Sequence, residues 1–327
     1  MSISSSDPTS QNLSFKDVEL AYQTIQPFVH QTAVVQCQTL NELSGAQLFF
    51  KCENFQKVGA FKFRGACNAV FRLSDEEASR GVVTHSSGNH AQALALAARM
   101  RGIDAHIVMP SNAPKVKKEA VLGYGANVVE CEPTLDARES TAEAIRQDKG
   151  ATFIHPYDHP HVIAGQGTAA LELFQAVGEL DFVMAPVGGG GLISGTCLAT
   201  RGLRPEAKVI AAEPAGADDA ARSKAANERI PQTGPQTIAD GLLTSLGTLT
   251  WPFVRDHVES VETTTDDEII AAMKLFWSRT KVLIEPSAAT TVAVALKYPW
   301  PENSRVGIIL SGGNVDLDRL PWVVGPR

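Results

Sequence analysis

The residues whose types suit chemistry fall in four short segments. The first is GAFKFRGA, Gly59 to Ala66, where Lys62 stands between Phe61 and Phe63. Two aromatic neighbours desolvate an amine, lower its pKa and leave it able to form a Schiff base with a carbonyl. A lysine snorkelling from an amphipathic helix is the plainer account of the same spacing. The second is THSSGNHAQALALAARM, Thr84 to Met100, in which Ser86, Ser87, Gly88, Asn89 and His90 form a polar turn before a helical stretch. Such a turn can bind a carboxylate at a helix N-terminus. One serine would suffice for a cap, so the cluster points beyond capping.

The third segment is VGGGGLISG, Val187 to Gly195. Four consecutive glycines let backbone N–H groups approach a ligand, and a helix beginning near Leu192 would add its positive end, so the turn reads as a phosphate cradle. A GxGxxG nucleotide fingerprint is absent, since the sixth position is Ile193 from Gly188 and Ser194 from Gly189. No Lys-Ser/Thr follows, so this is not a Walker loop. The fourth is SGGN, Ser311 to Asn314, after the apolar run RVGIIL.

These turns need strands before them and helices after them. QLFFKCE (Gln47 to Glu53), GVVTHS (Gly81 to Ser86), DAHIVM (Asp104 to Met109), NVVEC (Asn127 to Cys131) and ATFI (Ala151 to Ile154) read as strands. So do FVMAPV (Phe182 to Val187), KVIAAE (Lys208 to Glu213) and RVGIIL (Arg305 to Leu310). Helical stretches run from Phe15 to Phe28 behind Ser14, and over His90 to Arg101, Lys115 to Leu122 and Leu135 to Gln147. Thr265 caps a further helix, TDDEIIAAMKLFWSRT, with acids in its first turn and basic residues near its end. The alternation predicts βαβ units and parallel sheets, with ligands outside the carboxyl ends of the strands.

The chain of 327 residues is long enough for two lobes. It is 44% hydrophobic, 20% charged and 6% aromatic, which is ordinary globular composition. A net charge of −7 argues against nucleic-acid and polybasic membrane partners. No apolar run reaches the ~18 residues of a membrane span. The Ser-rich start, MSISSSDPTSQNLS, lacks a signal core and reads as a frayed tail. Cys37, Cys52, Cys67, Cys131 and Cys197 are dispersed, which suits buried thiols in a reducing, cytoplasmic setting. In HPYDHPH, prolines break any shared ligand face among His155, His159 and His161. Glu213, the carbonyl of Ala217 and Asp219 lie in an acidic loop; such oxygens suit Mg²⁺, Ca²⁺ or Mn²⁺, although acidic loops are usually just solvated.

Together, FKFRGA, SSGNH, GGGG and SGGN, in this order, resemble the fold-type II (tryptophan synthase β-like) pyridoxal 5′-phosphate (PLP) enzymes, which include serine and threonine dehydratases and serine racemases. The resemblance extends through HPYDHPHVIAGQGTAALE, AAEPAGADD, TIADGL and LIEPSAA. It implies an α/β fold of two open parallel-sheet lobes: a large PLP-binding domain from residues 1–80 and 159–327, and a small mobile domain from residues 81–158. It implies that Lys62 carries PLP and acts as base on one face, with Phe61 against the ring and Asn89 on its hydroxyl. Gly188, Gly189, Gly190, Gly191 and Leu192 would hold the phosphate, and Ser311 would face the ring nitrogen. A hydroxyl cannot keep that nitrogen protonated as an aspartate does, which suits elimination or racemisation over transamination.

Threonine deaminases of this kind generally resemble SAGNH at the second segment, whereas this chain has Ser87. A serine there is similar to the racemases, with Ser87 as the second acid/base on the opposite face. The resemblance implies a substrate carboxylate on Ser86 to His90 with Arg138 near the mouth, an activating cation at Glu213, Ala217 and Asp219, and a homodimer. The expected activity is serine racemisation with loss of water to pyruvate and ammonia. The alternatives are a threo-3-hydroxyaspartate or threonine ammonia-lyase, and a non-catalytic PLP- or phosphometabolite-binding protein.

Overall fold

The alternating runs resolve into ten strands and fourteen α-helices among residues 13–324, the part of the chain that this computed structural model describes. Residues 1–12 of the Ser-rich start, expected to fray, lie outside that part. The chain begins α1 (Phe15–Ile25), β1 (Val34–Val35), α2 (Gln38–Ser44), β2 (Gln47–Cys52), α3 (Lys62–Phe71) and α4 (Asp75–Ser79). It continues β3 (Val82–His85), α5 (Asn89–Arg101), β4 (Ala105–Pro110), α6 (Lys115–Gly123), β5 (Asn127–Cys131), α7 (Leu135–Lys149) and β6 (Thr152–Phe153). Then come α8 (Pro160–Val177), β7 (Phe182–Pro186), α9 (Gly191–Leu203), β8 (Lys208–Pro214), α10 (Asp219–Ala226) and α11 (Trp251–His257). The chain closes with β9 (Ser260–Thr264), α12 (Asp266–Thr280), α13 (Pro286–Lys297), β10 (Arg305–Leu310) and α14 (Pro321–Val324). No helix among the described residues is long and apolar enough to cross a membrane.

Helix ends follow their chemistry. The Asp17 carboxylate accepts from the N–H and hydroxyl of Ser14 at 2.8 and 2.9 Å. Helix α1 stops at Ile25, short of the expected Phe28, because Pro27 has no N–H to continue the ladder. Thr265 caps α12 in a capping box with Glu268.

The strands form two sheets. One has six strands in the order β1-β2-β10-β7-β8-β9, parallel except for the antiparallel β1–β2 pair. The other, β5-β4-β3-β6, is wholly parallel and comes from residues 82–153. Side chains alternate between the two faces of the larger sheet. Leu48, Phe50, Met184, Ile210, Val306 and Ile308 pack with α12 and α13. Phe49, Val183, Ala185, Val209 and Ile309 pack with α8 and α9 on the other face. Burial on both faces makes these strands read as unbroken apolar runs.

Four charged side chains are sealed between β2, α3 and α8. Arg64 makes two bonds to Glu53, at 2.7 and 2.8 Å, and two to Glu172, at 2.8 and 2.7 Å. Lys51 donates to Glu172 at 2.6 Å and to the Thr32 carbonyl at 2.7 Å. The Thr32 hydroxyl donates to Glu53 at 2.6 Å. All four charges are buried, two of each sign. A buried charge is tolerated only when paired and hydrogen-bonded, and here each is. Glu172→Ala leaves Lys51 and Arg64 sharing one carboxylate. Chemical denaturation is expected to register a loss of about 3–5 kcal/mol, whereas Glu206→Ala, at an exposed ion pair, should cost less than about 1 kcal/mol.

Candidate active site

The predicted segments all lie at the carboxyl ends of parallel strands. Ser86 follows β3, Gly188 follows β7, the acidic loop follows β8 and Ser311 follows β10. Lys62 opens α3, which is reached from β2 through two short 3-10 turns.

Backbone pairing zips the first and fourth segments together. The Phe61 N–H donates to the Ser311 carbonyl and the Gly313 N–H to the Gly59 carbonyl, both at 2.9 Å. Asn314 donates through its side chain to the Val58 carbonyl at 2.7 Å. Val58 has φ of 58°, a left-handed conformation that costs a β-branched residue about 1–3 kcal/mol. The strained turn delivers the chain to Lys62.

The Lys62 amine donates to the carbonyl of Pro156 at 2.8 Å and lies 5.2 Å from the centre of the Phe61 ring. Burial pushes its pKa down to about 8. His155 stays neutral, its pKa pushed down to about 3 by burial first and then by His85 and Lys62. Its Nδ1 accepts from the Asp158 N–H at 2.9 Å.

The Ser86 to His90 turn is split in purpose. The Ser86 hydroxyl accepts from the Gly88 N–H at 3.4 Å. Ser87 lies partly exposed at the same turn, with α5 starting at Asn89. The Asn89 amide nitrogen donates to both oxygens of Glu285, at 3.1 and 3.3 Å, and its oxygen accepts from Asn314 at 2.8 Å. His90 is turned into the core, where its Nε2 lies 3.3 Å from the Ile154 carbonyl. Its ring is therefore committed inward, leaving its backbone for the turn. Arg138, on α7, contacts the Thr134 carbonyl at 3.3 Å and lies close enough to His85 to lower that pKa, after burial.

The glycine loop is fully buried. The N–H groups of Gly188, Gly189 and Gly190 donate to no acceptor among the described residues, and the first N–H groups of α9 have no partner within a helix. Two of the glycines are required by the protein behind them. A Cβ on Gly189 would enter the ring of Tyr157, and Gly190, at φ +89°, would meet Thr250 at 2.7 Å. Ser311 is buried and its hydroxyl has no partner. A buried hydroxyl without a partner is costly unless a ligand supplies one, which fits a ring nitrogen.

In the acidic loop, the Glu213 oxygens accept from the N–H groups of Ala220 and Ala221 at 2.8 and 2.9 Å. Asp219 Oδ2 accepts from Leu246 at 3.0 Å, while its Oδ1 is buried without a partner. Burial pushes the two carboxyls up to about 8 and about 6.

Four contributors were not among the expected site residues: the Pro156 carbonyl, Tyr157, Thr250 and Glu285. Burial, then the charge of Asp240, pushes the Glu285 carboxyl up to about 7. Its position in LIEPSAA, and that of Pro156 and Tyr157 in HPYDHPHVIAGQGTAALE, segments already likened to the family, were the available hints.

A buried lysine, a glycine-rich anion loop and an unpaired buried hydroxyl, grouped at the carboxyl edges of parallel strands, define a site for a phosphorylated carbonyl cofactor. Residues 25–312 match the family described as pyridoxal-phosphate dependent enzyme, and the chain belongs to it. A β-hydroxyaspartate dehydratase of Paracoccus denitrificans is 53% identical over 94% of this chain and 98% of its own length. A serine racemase of Arabidopsis thaliana is 51% identical over 93% of each chain. The crystal structure of serine racemase from Dictyostelium discoideum superposes with a TM-score of 0.90 at 51% identity, covering 93% of this chain and 99% of that one.

At pH 8 about half of the Lys62 amine is unprotonated, against less than about 1% of an ordinary lysine. In the cofactor-free chain, labelling of Lys62 by pyridoxal and borohydride, read by peptide mass spectrometry, should rise with a midpoint near pH 8. Exposed lysines should still be gaining label above pH 10.

Proposed function

We propose that this PLP enzyme is a serine racemase that also removes water from serine, giving pyruvate and ammonia. The observation that carries the reading is that the chain has both a desolvated Lys62 and a serine, Ser87, in the turn before α5. The 51% identity to serine racemases of two organisms supports it.

When bound, the cofactor delocalises the electrons left at the α-carbon once its proton is removed. In this assignment the Lys62 amine takes that proton on one face, and the Ser87 hydroxyl supplies one on the other. Ser86, Ser87, Gly88, Asn89 and the His90 N–H hold the substrate carboxylate at the positive end of α5, with Arg138 at the mouth. Gly188, Gly189, Gly190, Gly191 and Leu192 hold the phosphate, Phe61 backs the ring, Asn89 meets its hydroxyl and Ser311 its nitrogen. Asn89 suits that role because its amide nitrogen carries two hydrogens and Glu285 engages it from one side. Residues 81–158 act as a small mobile domain that closes on substrate and excludes water, against a large domain of residues 1–80 and 159–327.

Glu213, the Ala217 carbonyl and Asp219 take Mg²⁺, Ca²⁺ or Mn²⁺. The donors are all oxygen, and the partnerless Oδ1 of Asp219 is what a hard cation would satisfy. A homodimer in the cytoplasm completes the proposal; the five free cysteines support the reducing compartment. A second reading, a threo-3-hydroxyaspartate ammonia-lyase, is favoured by the 53% identity to the dehydratase.

The test is chiral amino-acid analysis after incubation with PLP, Mg²⁺ and L-serine, with pyruvate assayed in parallel. D-serine should appear; pyruvate alone would favour the second reading, to be tried with threo-3-hydroxyaspartate. Ser87→Ala should cut D-serine formation by about 10²-fold or more while pyruvate formation persists; equal loss of both would overturn the face assignment. Chelation should lower both activity and melting temperature, and no change in either would remove the cation site.

A further inference from the structure

Behind the glycine loop runs a strap, residues 246–250, tied down at several points. The Asp158 carboxylate accepts from the N–H groups of Thr248, Leu249 and Thr250 at 2.9, 2.8 and 3.3 Å. Asp219 accepts from Leu246. The strap reaches the loop at the Gly189 carbonyl, which accepts a long bond from the Gly247 N–H at 3.4 Å and a short one from a side chain. The buried Thr250 hydroxyl accepts from the Gly247 N–H at 2.8 Å and donates to the Gly189 carbonyl at 2.7 Å.

That last bond constrains more than one oxygen. The Gly189 C=O and the Gly190 N–H belong to one planar trans peptide, so they point in opposite directions. Holding the carbonyl on Thr250 turns the Gly190 N–H away from the strap. Gly190 sits at φ +89° against the Thr250 side chain, so the peptide is held from behind and has no Cβ to limit its rotation. Without the hydroxyl, only the 3.4 Å bond from the Gly247 N–H holds the carbonyl, and the plane turns more easily to take the Gly190 N–H out of the cradle.

We propose that Thr250 is a positioning residue for the cofactor phosphate, fixing the Gly189–Gly190 peptide so that the Gly190 N–H faces the anion. The proposal rests on the reading of the glycine loop as the phosphate cradle. It assigns part of the site's selectivity for a phosphorylated over a plain pyridoxal to a residue outside the loop.

The full chain, stripped of cofactor, is titrated with PLP and with pyridoxal, which lacks the phosphate, and binding is followed by absorbance. Thr250→Val removes the hydroxyl at nearly constant shape. The dissociation constant for PLP should rise by about tenfold, the scale of one charge-assisted hydrogen bond, while that for pyridoxal stays within about twofold of the parent. Thr250→Ser should restore PLP affinity. Thr250→Cys, similar in size with a weaker donor, carries the same test if the valine variant does not fold. Unchanged PLP affinity, or equal weakening of PLP and pyridoxal, would overturn the role of Thr250. A parent chain that binds both equally would instead overturn the phosphate reading of the loop, and the proposal with it.

Discussion

The sealed quartet of Lys51, Glu53, Arg64 and Glu172 is the constraint on which the site depends. Arg64 lies two residues beyond Lys62, so anchoring its guanidinium between two carboxylates fixes the first turn of α3. The same bonds tie that turn to Glu53, just beyond β2, and to Glu172 of α8, which in turn holds Lys51 of β2. Such groups contribute little net stability compared with a well-packed apolar set, because desolvation offsets most of the attraction. Their value lies in geometry. Two bidentate pairs admit one orientation of the guanidinium, whereas apolar side chains would tolerate several.

A second layer of polar contacts joins the two sheets above this anchor. Glu285, from the turn before α13, receives Asn89 from the β3–α5 turn and the Asn314 N–H from the loop after β10. Asn314 in turn holds Val58 in its strained conformation. The Pro156 carbonyl, Tyr157 and Asp158 do the same on the opposite side, serving in order Lys62, the glycine loop and the strap behind it. Lys62, Asn89 and the glycine loop are thus each held by a group distant in sequence.

What could be read from the residues alone followed local rules. The eight apolar runs became strands because burial on both faces of a parallel sheet leaves a continuous apolar imprint, clearest in β2, β4, β7, β8 and β10. Ser14, Thr265 and the turns after β3, β7 and β10 carried signals within a few residues. Helix α8 was not foreseen because Val162 to Phe174 are all buried, which erases the amphipathic period. Its Gly165, unfavourable in a helix, is there because a side chain would strike the backbone at Arg64 and Gly65. Helix α13 is hidden for the same reason, and β9, at the edge of its sheet, is mostly only partly buried. Glu285, Tyr157 and Thr250 were invisible as contributors because their roles exist only through partners distant in sequence.

The position of β10 sets an order on biogenesis. It is the last strand among the described residues and lies between β2 and β7, in the middle of the larger sheet. The smaller sheet can close as soon as residues 82–153 emerge from the ribosome. The larger one stays divided until residues 305–310 emerge, with a bare edge on β2 and another on β7. A nascent chain that stalls before that point exposes two apolar, unpaired strand edges, which invite aggregation. Emergence of residues 305–310 is therefore the step at which two half-sheets become one surface able to carry a site.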